Sequence, residues 1–390
     1  MSLWRALSGR GRAVAAFLAA VIAFAVGFLT YQALPDSRIL LVDKAAASAA
    51  AAPATVVPAA ALAPASHLPT PAVVKGIYMT ACIASEPRLR DQVLATLAGT
   101  EIDSIVIDLK DYTGTISYAS TSVSGPRGVG CRIRDLPAFI ADIHARGIYA
   151  IARVTVFQDP LYAAAHPEVA IHSRSHPDLI WTDPKGIAYI DPDFSSYWDR
   201  IAAIAREGHQ IGFDEINFDY VRFPSDGDIA DAAFAIPPGS TKADAIRDFF
   251  AYLSSTLRPD GIVISADLFG QTTVEAGDMG IGQVLENALP YFDYVSPMDY
   301  PSHFIDGFMG YANPAAEPYQ IVKGTMTTAV ERAVAASSTP DKLRPWLQAF
   351  DLGATYTPDM VHDQVRAVND SGLSSWMLWD AANKYTKAEL

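Results

Sequence analysis

The chain has 390 residues, 50% of them hydrophobic, with two cysteines and a net charge of −14. Two cysteines exclude a disulfide-rich scaffold and any multi-cysteine zinc or iron–sulfur centre, and the acidic balance argues against nucleic acid, whose phosphates need cations. The length leaves room for a large core, in two domains or in one α/β barrel of about 250 residues.

The charge is unevenly placed. Arg5, Arg10 and Arg12 precede Ala13–Thr30, an apolar run without a charge. That run approaches the length needed to cross a hydrocarbon core of about 30 Å at roughly 1.5 Å per residue. Residues 1–44 therefore read as an uncleaved signal anchor, with a transmembrane helix over about 13–34. Arginines on its N-terminal side would stay in the cytoplasm and the remainder would face the periplasm or the cell exterior. Cleavage near the small residues Ala45–Ala52, giving a secreted protein, is the alternative. Residues 45–71 are mostly alanine with Pro53, Pro58, Pro64, Pro69 and Pro71, and read as a linker. The working domain is expected over 72–390.

From there short β-rich runs alternate with amphipathic stretches. Strands are expected at Val74–Thr80, Ser104–Lys110, Tyr149–Phe157, Glu215–Tyr220, Val263–Phe269, Tyr294–Tyr300, Pro345–Phe350 and Ser375–Trp379. Helices are expected at Arg88–Leu97, Leu136–Arg146, Tyr197–Gln210, Ala243–Leu257, Pro318–Ala336 and Asp359–Asn369, several closed by Gly99, Gly147, Gly212 and Gly372. Eight strands alternating with helices indicate an α/β fold, a (β/α)8 TIM barrel. Few residues follow the eighth strand, so the last helix is truncated. A doubly wound sheet is the competitor, but no GxGxxG or GxxxxGK[ST] phosphate turn is present. The long connection Gln158–Tyr197 holds a hairpin pattern around Pro184-Lys185-Gly186 and is placed at the active-site rim.

Barrel enzymes carry their chemistry at the C-terminal strand ends. Those ends supply Asp108 and Lys110, Arg153, Asp219, Asp267, Asp299, Gln348 with Asp351, and Trp379 with Asp380. Strand parity puts Glu215, Asn217 and Asp219 on one face, and Val263, Ser265 and Asp267 on one face of the next strand. Neighbouring strands lie about 4.8 Å apart, so Asp219 and Asp267 could flank one sugar. Paired carboxylates suit glycoside cleavage, with Asp219 as nucleophile, Asp267 as acid/base and Asp299 in reserve for either. The roles of Asp219 and Asp267 could be exchanged. The competing reading for each acid is a structural ion pair with Arg153, Arg222 or Lys110. Asp108, Lys110, Arg153, Tyr220, Arg222, Asp299, Tyr300 and His303 are expected to bind or orient the sugar. Trp181, Tyr220 and Trp379 are expected to stack on sugar C–H faces, whereas Phe157, Phe269 and Trp376 read as core.

Two weaker patterns remain. His172-Ser173-Arg174-Ser175-His176 has the HSxxH spacing of a deacetylase metal motif, but Pro177 follows and no paired-Asp motif precedes it, so no metal or cofactor is expected. Cys82 and Cys131 follow adjacent strands at one barrel face, where an exported location would permit a disulfide.

Several segments resemble one family, the glycoside-hydrolase-like family first catalogued as a domain of unknown function. They are Val74 to Thr80, Val106 to Asp111, Ala152-Arg153-Val154 with Phe157-Gln158-Asp159-Pro160, and above all Gly212 to Pro224 with its Phe218-Asp219-Tyr220-Val221-Arg222-Phe223-Pro224 core. Ser265 to Gly270, Ser296 to Pro301 and Gly372 to Trp379 continue it in order, over roughly 73–385. The resemblance implies a glycoside-hydrolase-like barrel and leaves the anchor and linker outside it. The expected partner is a polysaccharide or oligosaccharide, with the membrane as anchor and no nucleic acid. An inactive envelope polysaccharide-binding barrel is the second reading, and a metal-dependent deacetylase the third. The acidic balance would suit cationic or amino-sugar polymers.

Overall fold

The structure is a computed structural model that describes residues 65–123, 128 and 130–390. The expected anchor and most of the expected linker lie outside these residues. Among the described residues no helix is long and apolar enough to cross a membrane.

Eight parallel strands close a barrel: β1 Lys75–Met79, β2 Ser104–Lys110, β3 Tyr149–Thr155, β4 Glu215–Asp219, β5 Val263–Phe269, β6 Tyr294–Met298, β7 Trp346–Gln348 and β8 Trp376–Trp379. Each strand neighbours the next in sequence, and β8 pairs with β1, with Lys75 opposite Trp376 and Ile77 opposite Leu378. The eight expected strands are these eight. Fully buried parallel strands read as apolar β-branched runs, which makes them legible. A helix-rich crossover follows most strands, the longest helices being Pro87–Leu97, Leu136–Ala145, Ser195–Ile211, Lys242–Leu257, Pro318–Ala335 and Pro358–Asp370. Turns rather than a helix follow β8.

Alternation along the strands builds two cores. Outward residues such as Ile105, Ile107, Ala152, Val154, Ile216, Phe218, Ile264 and Leu268 meet the helices in one large apolar layer. Gly208 allows the helix Ser195–Ile211 to lie close to β2, since a Cβ there would fall 2.6 Å from Leu109 Cδ2. Inside the barrel, Val106, Tyr149, Ile151, Trp346 and Met377 surround polar rows. At the floor Glu215 pairs with Arg344 at 3.1 Å, both fully buried, and accepts a 2.6 Å bond from Ser265 Oγ.

Residues 65–71, the end of the stretch read as linker, are held to this floor. Leu68 N donates to Asp214 Oδ1 at 2.7 Å, Thr70 Oγ1 bonds Tyr149 OH at 3.0 Å, and His67 stacks on His209 with centroids 4.1 Å apart. At the opposite face the disulfide Cys82–Cys131 ties the segment after β2 to the first turn after β1. It closes a loop of 49 residues, so replacing both cysteines by serine is expected to cost about 4 kcal/mol on the chain-entropy model. Urea unfolding of the oxidised native chain and the double variant measures it; equal midpoints would refute it.

Candidate active site

The polar row of β4 rises through the barrel and ends at its C-terminal mouth. Asn217 is opposite Ser265 and Phe218 opposite Ala266, so Asp219 and Asp267 occupy the next positions on adjoining strands. Both line one cavity of about 510 Å³, with Arg153, Tyr220, Arg222, Phe269, Tyr300, His303 and Trp379 among its walls.

The two carboxylates have different surroundings. Asp219, 4% exposed, accepts bonds from Arg153 Nε at 3.1 Å and Arg153 Nη2 at 2.5 Å on Oδ2, and from the Tyr220 backbone N–H at 2.6 Å on Oδ1. Arg153 in turn donates through Nη1 to Asp108 at 2.6 Å, whose other oxygen accepts from Tyr78 OH at 2.5 Å. Tyr78 stacks on Trp379 with centroids 3.9 Å apart. A fixed chain thus runs from Trp379 and Tyr78 through Asp108 and Arg153 to Asp219. Burial raises Asp108 against the opposing pull of Arg153.

Asp267 has no such cation bonded to it. It is 1% exposed, and its Oδ1 accepts from Asn217 Nδ2 and Trp346 Nε1, each at 2.8 Å. Burial and the neighbouring Asp219 charge push its carboxyl well above the usual range, although the Asn217 bond, Arg153 and Trp346 pull the other way. One cavity thus holds an ion-paired carboxylate, Asp219, beside a carboxyl without a cation, Asp267, whose protonated form is favoured, a contrast that suits acid/base chemistry.

Tyr220 follows Asp219 with φ of 53°. A non-glycine residue there stores backbone strain, and the turn lets its N–H cap Asp219 while the ring enters the cavity wall. Arg222 lies against the rings of Tyr220 and Phe269. Tyr300 is buried in the wall, and His303 stands exposed at the rim with its ring edge-on to Tyr300 at 5.1 Å.

Three residues expected at the sugar are placed elsewhere. A bulge in β2 shifts the register between Asp108 and Lys110, so Asp108 pairs with Arg153 and Lys110 with the outward Val154. Lys110 therefore leaves the interior and binds Asp159 at 3.1 Å and the Thr155 carbonyl at 2.6 Å, fully buried. Asp299 also points away from the cavity, accepting 2.7 Å from Thr325 Oγ1 on the helix Pro318–Ala335. Trp181 is 4% exposed, donates to the Asp228 carbonyl, and packs with Ile171, Tyr189 and Ala232. It buttresses the long third connection, whose expected hairpin is present with Thr182 opposite Ala188.

Other residues carry more than their sequence signal. Asn217 and Trp346 hold Asp267. Phe269, read as core, lines the cavity. Asn217 lay in the polar row already recognised, whereas Trp346 belongs to a strand of only three residues and carried no such signal. His172 and His176 are engaged separately: the His172 ring nitrogens lie 2.8 Å from the carbonyls of Pro177 and Pro167, and His176 Nδ1 lies 3.0 Å from Ser175 Oγ. Among the described residues no three His, Cys, Asp or Glu side chains gather to hold one metal ion.

No curated protein matches the sequence. A hypothetical protein from Ruminiclostridium thermocellum is 30% identical over 49% of this chain and 96% of its own, with a TM-score of 0.44. The glycoside hydrolase domain of PgaB (BpsB) from Bordetella bronchiseptica is 15% identical, covering 80% of this chain and 95% of its own, with a TM-score of 0.57. Alpha-L-fucosidase isoenzyme 2 from Paenibacillus thiaminolyticus is 13% identical over 81% of this chain and 48% of its own, at a TM-score of 0.54. The likenesses to the Bordetella and Paenibacillus structures show the barrel fold. The family described as "Putative glycosyl hydrolase domain" matches residues 76–385, most of the chain, and the protein belongs to that family.

Proposed function

We propose that the chain is an extracytoplasmic glycoside hydrolase that cleaves a polysaccharide or oligosaccharide with Asp267 as general acid and Asp219 as nucleophile. The observation that carries this reading is the contrast between the two carboxyls in one cavity. Asp267 gives its proton to the glycosidic oxygen as the bond to the anomeric carbon breaks. The ion-paired Asp219 attacks that carbon, and water, activated by the deprotonated Asp267, then releases the sugar. Arg153 and the Tyr220 N–H hold Asp219 in one orientation, so little of its freedom is lost at the moment of attack. Trp379, Tyr220 and Tyr300 offer rings to the sugar faces, and Asp108 acts through Arg153.

The location is part of the proposal. Support comes from the arginines before the apolar run at 13–30 and from the Cys82–Cys131 disulfide, which suits an oxidising compartment. The barrel would be held at the cytoplasmic membrane, facing outward.

Reducing-end release from a panel of envelope and exopolysaccharides tests the activity. The native chain is expected to cut at least one polymer, and Asp219→Asn to reduce that rate by about 10³-fold or more. Binding retained by both proteins without cleavage by either would instead favour the binding-barrel reading.

A further inference from the structure

Two buried arginines inside this barrel are paired with acids. Arg153 bonds Asp108 and Asp219, and Arg344 bonds Glu215. Arg222 is different. It is 6% exposed and lines the catalytic cavity, yet no carboxylate lies within 4.0 Å of it among the described residues. Its Nη1 donates to the Phe223 carbonyl at 3.1 Å and to Ser225 Oγ at 3.2 Å. Its Nε and Nη2 donate to no protein atom among the described residues.

Stacking does not account for those two donors. The guanidinium carbon lies 4.9 Å from the Tyr220 ring centroid and 4.6 Å from that of Phe269. These rings interact with the π-face of the group and fix its position; in-plane N–H groups still need acceptors. Neither nitrogen is among the buried side-chain atoms left without a partner, so both open onto the cavity, and because arginine stays charged there this edge is free to take an acceptor from a ligand. Planar arginine edges match oxyanions, which they bind through two parallel N–H···O bonds. Asp226 also lines the cavity, but it is exposed and engaged by Ser225 Oγ at 3.1 Å, where solvent screens it.

We infer that the glycan taken by this cavity carries an oxyanion substituent, a carboxylate, sulfate or phosphate, on the sugar seated beside Tyr220 and Phe269, and that Arg222 selects for it. The inference rests on the hydrolase reading and deepens it by naming the substrate class. Selection is local to the wall: the chain as a whole is acidic, so a general attraction to anions is not its source.

Titration calorimetry on the full chain tests this with probes that differ only in the acid: oligogalacturonates against their carboxyl-reduced forms, sulfated dextran oligosaccharides against dextran oligosaccharides, and 6-phosphorylated against plain gluco-oligosaccharides. At least one acidic member is expected to bind about 10–100-fold tighter than its neutral partner. Arg222→Gln is expected to erase that ratio, while Arg222→Lys, which keeps charge but loses the fork, keeps part of it. The arm that shows the ratio identifies the oxyanion. Equal binding within every pair, no binding of any acidic member, or a ratio that survives Arg222→Gln would overturn the inference. Should Arg222→Gln fail to fold, the native ratios and the lysine variant decide the question. Cleavage of a neutral polymer with no acidic preference would leave the hydrolase reading standing and sink this one. An Arg222-dependent ratio without cleavage of any polymer would do the reverse.

Discussion

Asp267→Asn is expected to lower hydrolysis of an unactivated glycan by about 10²–10⁴-fold while leaving binding nearly intact. The loss should shrink greatly on an aryl glycoside whose leaving group departs without a proton, because a general acid matters only where the leaving group is poor. Native kcat/KM should fall on the alkaline side. As the proposed general acid, Asp267 would work in its protonated form, and burial together with the Asp219 charge keeps that form populated well above the usual carboxylate range, so activity should disappear as pH rises through the raised value. The direction of further shifts follows from the contacts. Trp346 Nε1 donates to Asp267 and stabilises its charged form; Trp346→Phe should therefore move the alkaline limb to higher pH. A limb that moves down, or an aryl glycoside as severely affected as the natural linkage, would remove Asp267 from the acid role.

The pairing of Asp219 with Asp267 was readable because it depends on strand parity and neighbouring register, both of which period-two patterns encode. What parity could not show was a break in parity. Leu109 is the extra residue of a β2 bulge, and nothing in the Ile107-Asp108-Leu109-Lys110 run announces that Lys110 will turn out of the barrel. Asp299 is a different case. Met298 and Tyr300 both line the cavity, so alternation alone puts Asp299 on the other side, and expecting both Asp299 and Tyr300 at one sugar ignored that constraint. Trp181 shows the limit set by a loop that packs on itself. Its partners Ile171 and Tyr189 belong to the same long connection and Ala232 to the one after β4, and no period-two or helical pattern marks such a cluster, so an aromatic residue in a rim loop reads as a sugar platform when it is the core of that loop. The polar bonds to Asp267 are only half legible: Asn217 belongs to the polar row of β4, whereas nothing in the short β7 marks Trp346 as a donor to this carboxyl.

Asp299→Asn is expected to stabilise the protein, and increasingly so as pH rises. The Asp299 side chain is fully enclosed, with one bonded neighbour, the Thr325 hydroxyl, which also lies 2.9 Å from the Ile321 carbonyl. Asp299 Oδ1 has no partner among the described residues. Burial without a cation pushes this carboxyl up to about 8. The unfolded chain loses the same proton near pH 4. Between about pH 4 and about pH 8 the folded state therefore holds a proton that the unfolded state has released, and stability falls with rising pH across that window. Four units at about 1.4 kcal/mol each make the loss on the order of 5 kcal/mol by pH 8. Asparagine resembles the protonated acid in shape and charge and can donate from Nδ2 to Thr325 Oγ1, which then donates to Ile321, so it keeps the neutral arrangement at every pH. Native and variant should unfold at nearly the same urea concentration near pH 4, with the variant pulling ahead through pH 8 and the gap constant beyond. Turnover should change little, since Asp299 faces the helix layer and not the cavity. A gap that is independent of pH would mean that Asp299 is charged in the folded barrel, and a variant inactive at normal stability would return this residue to the sugar.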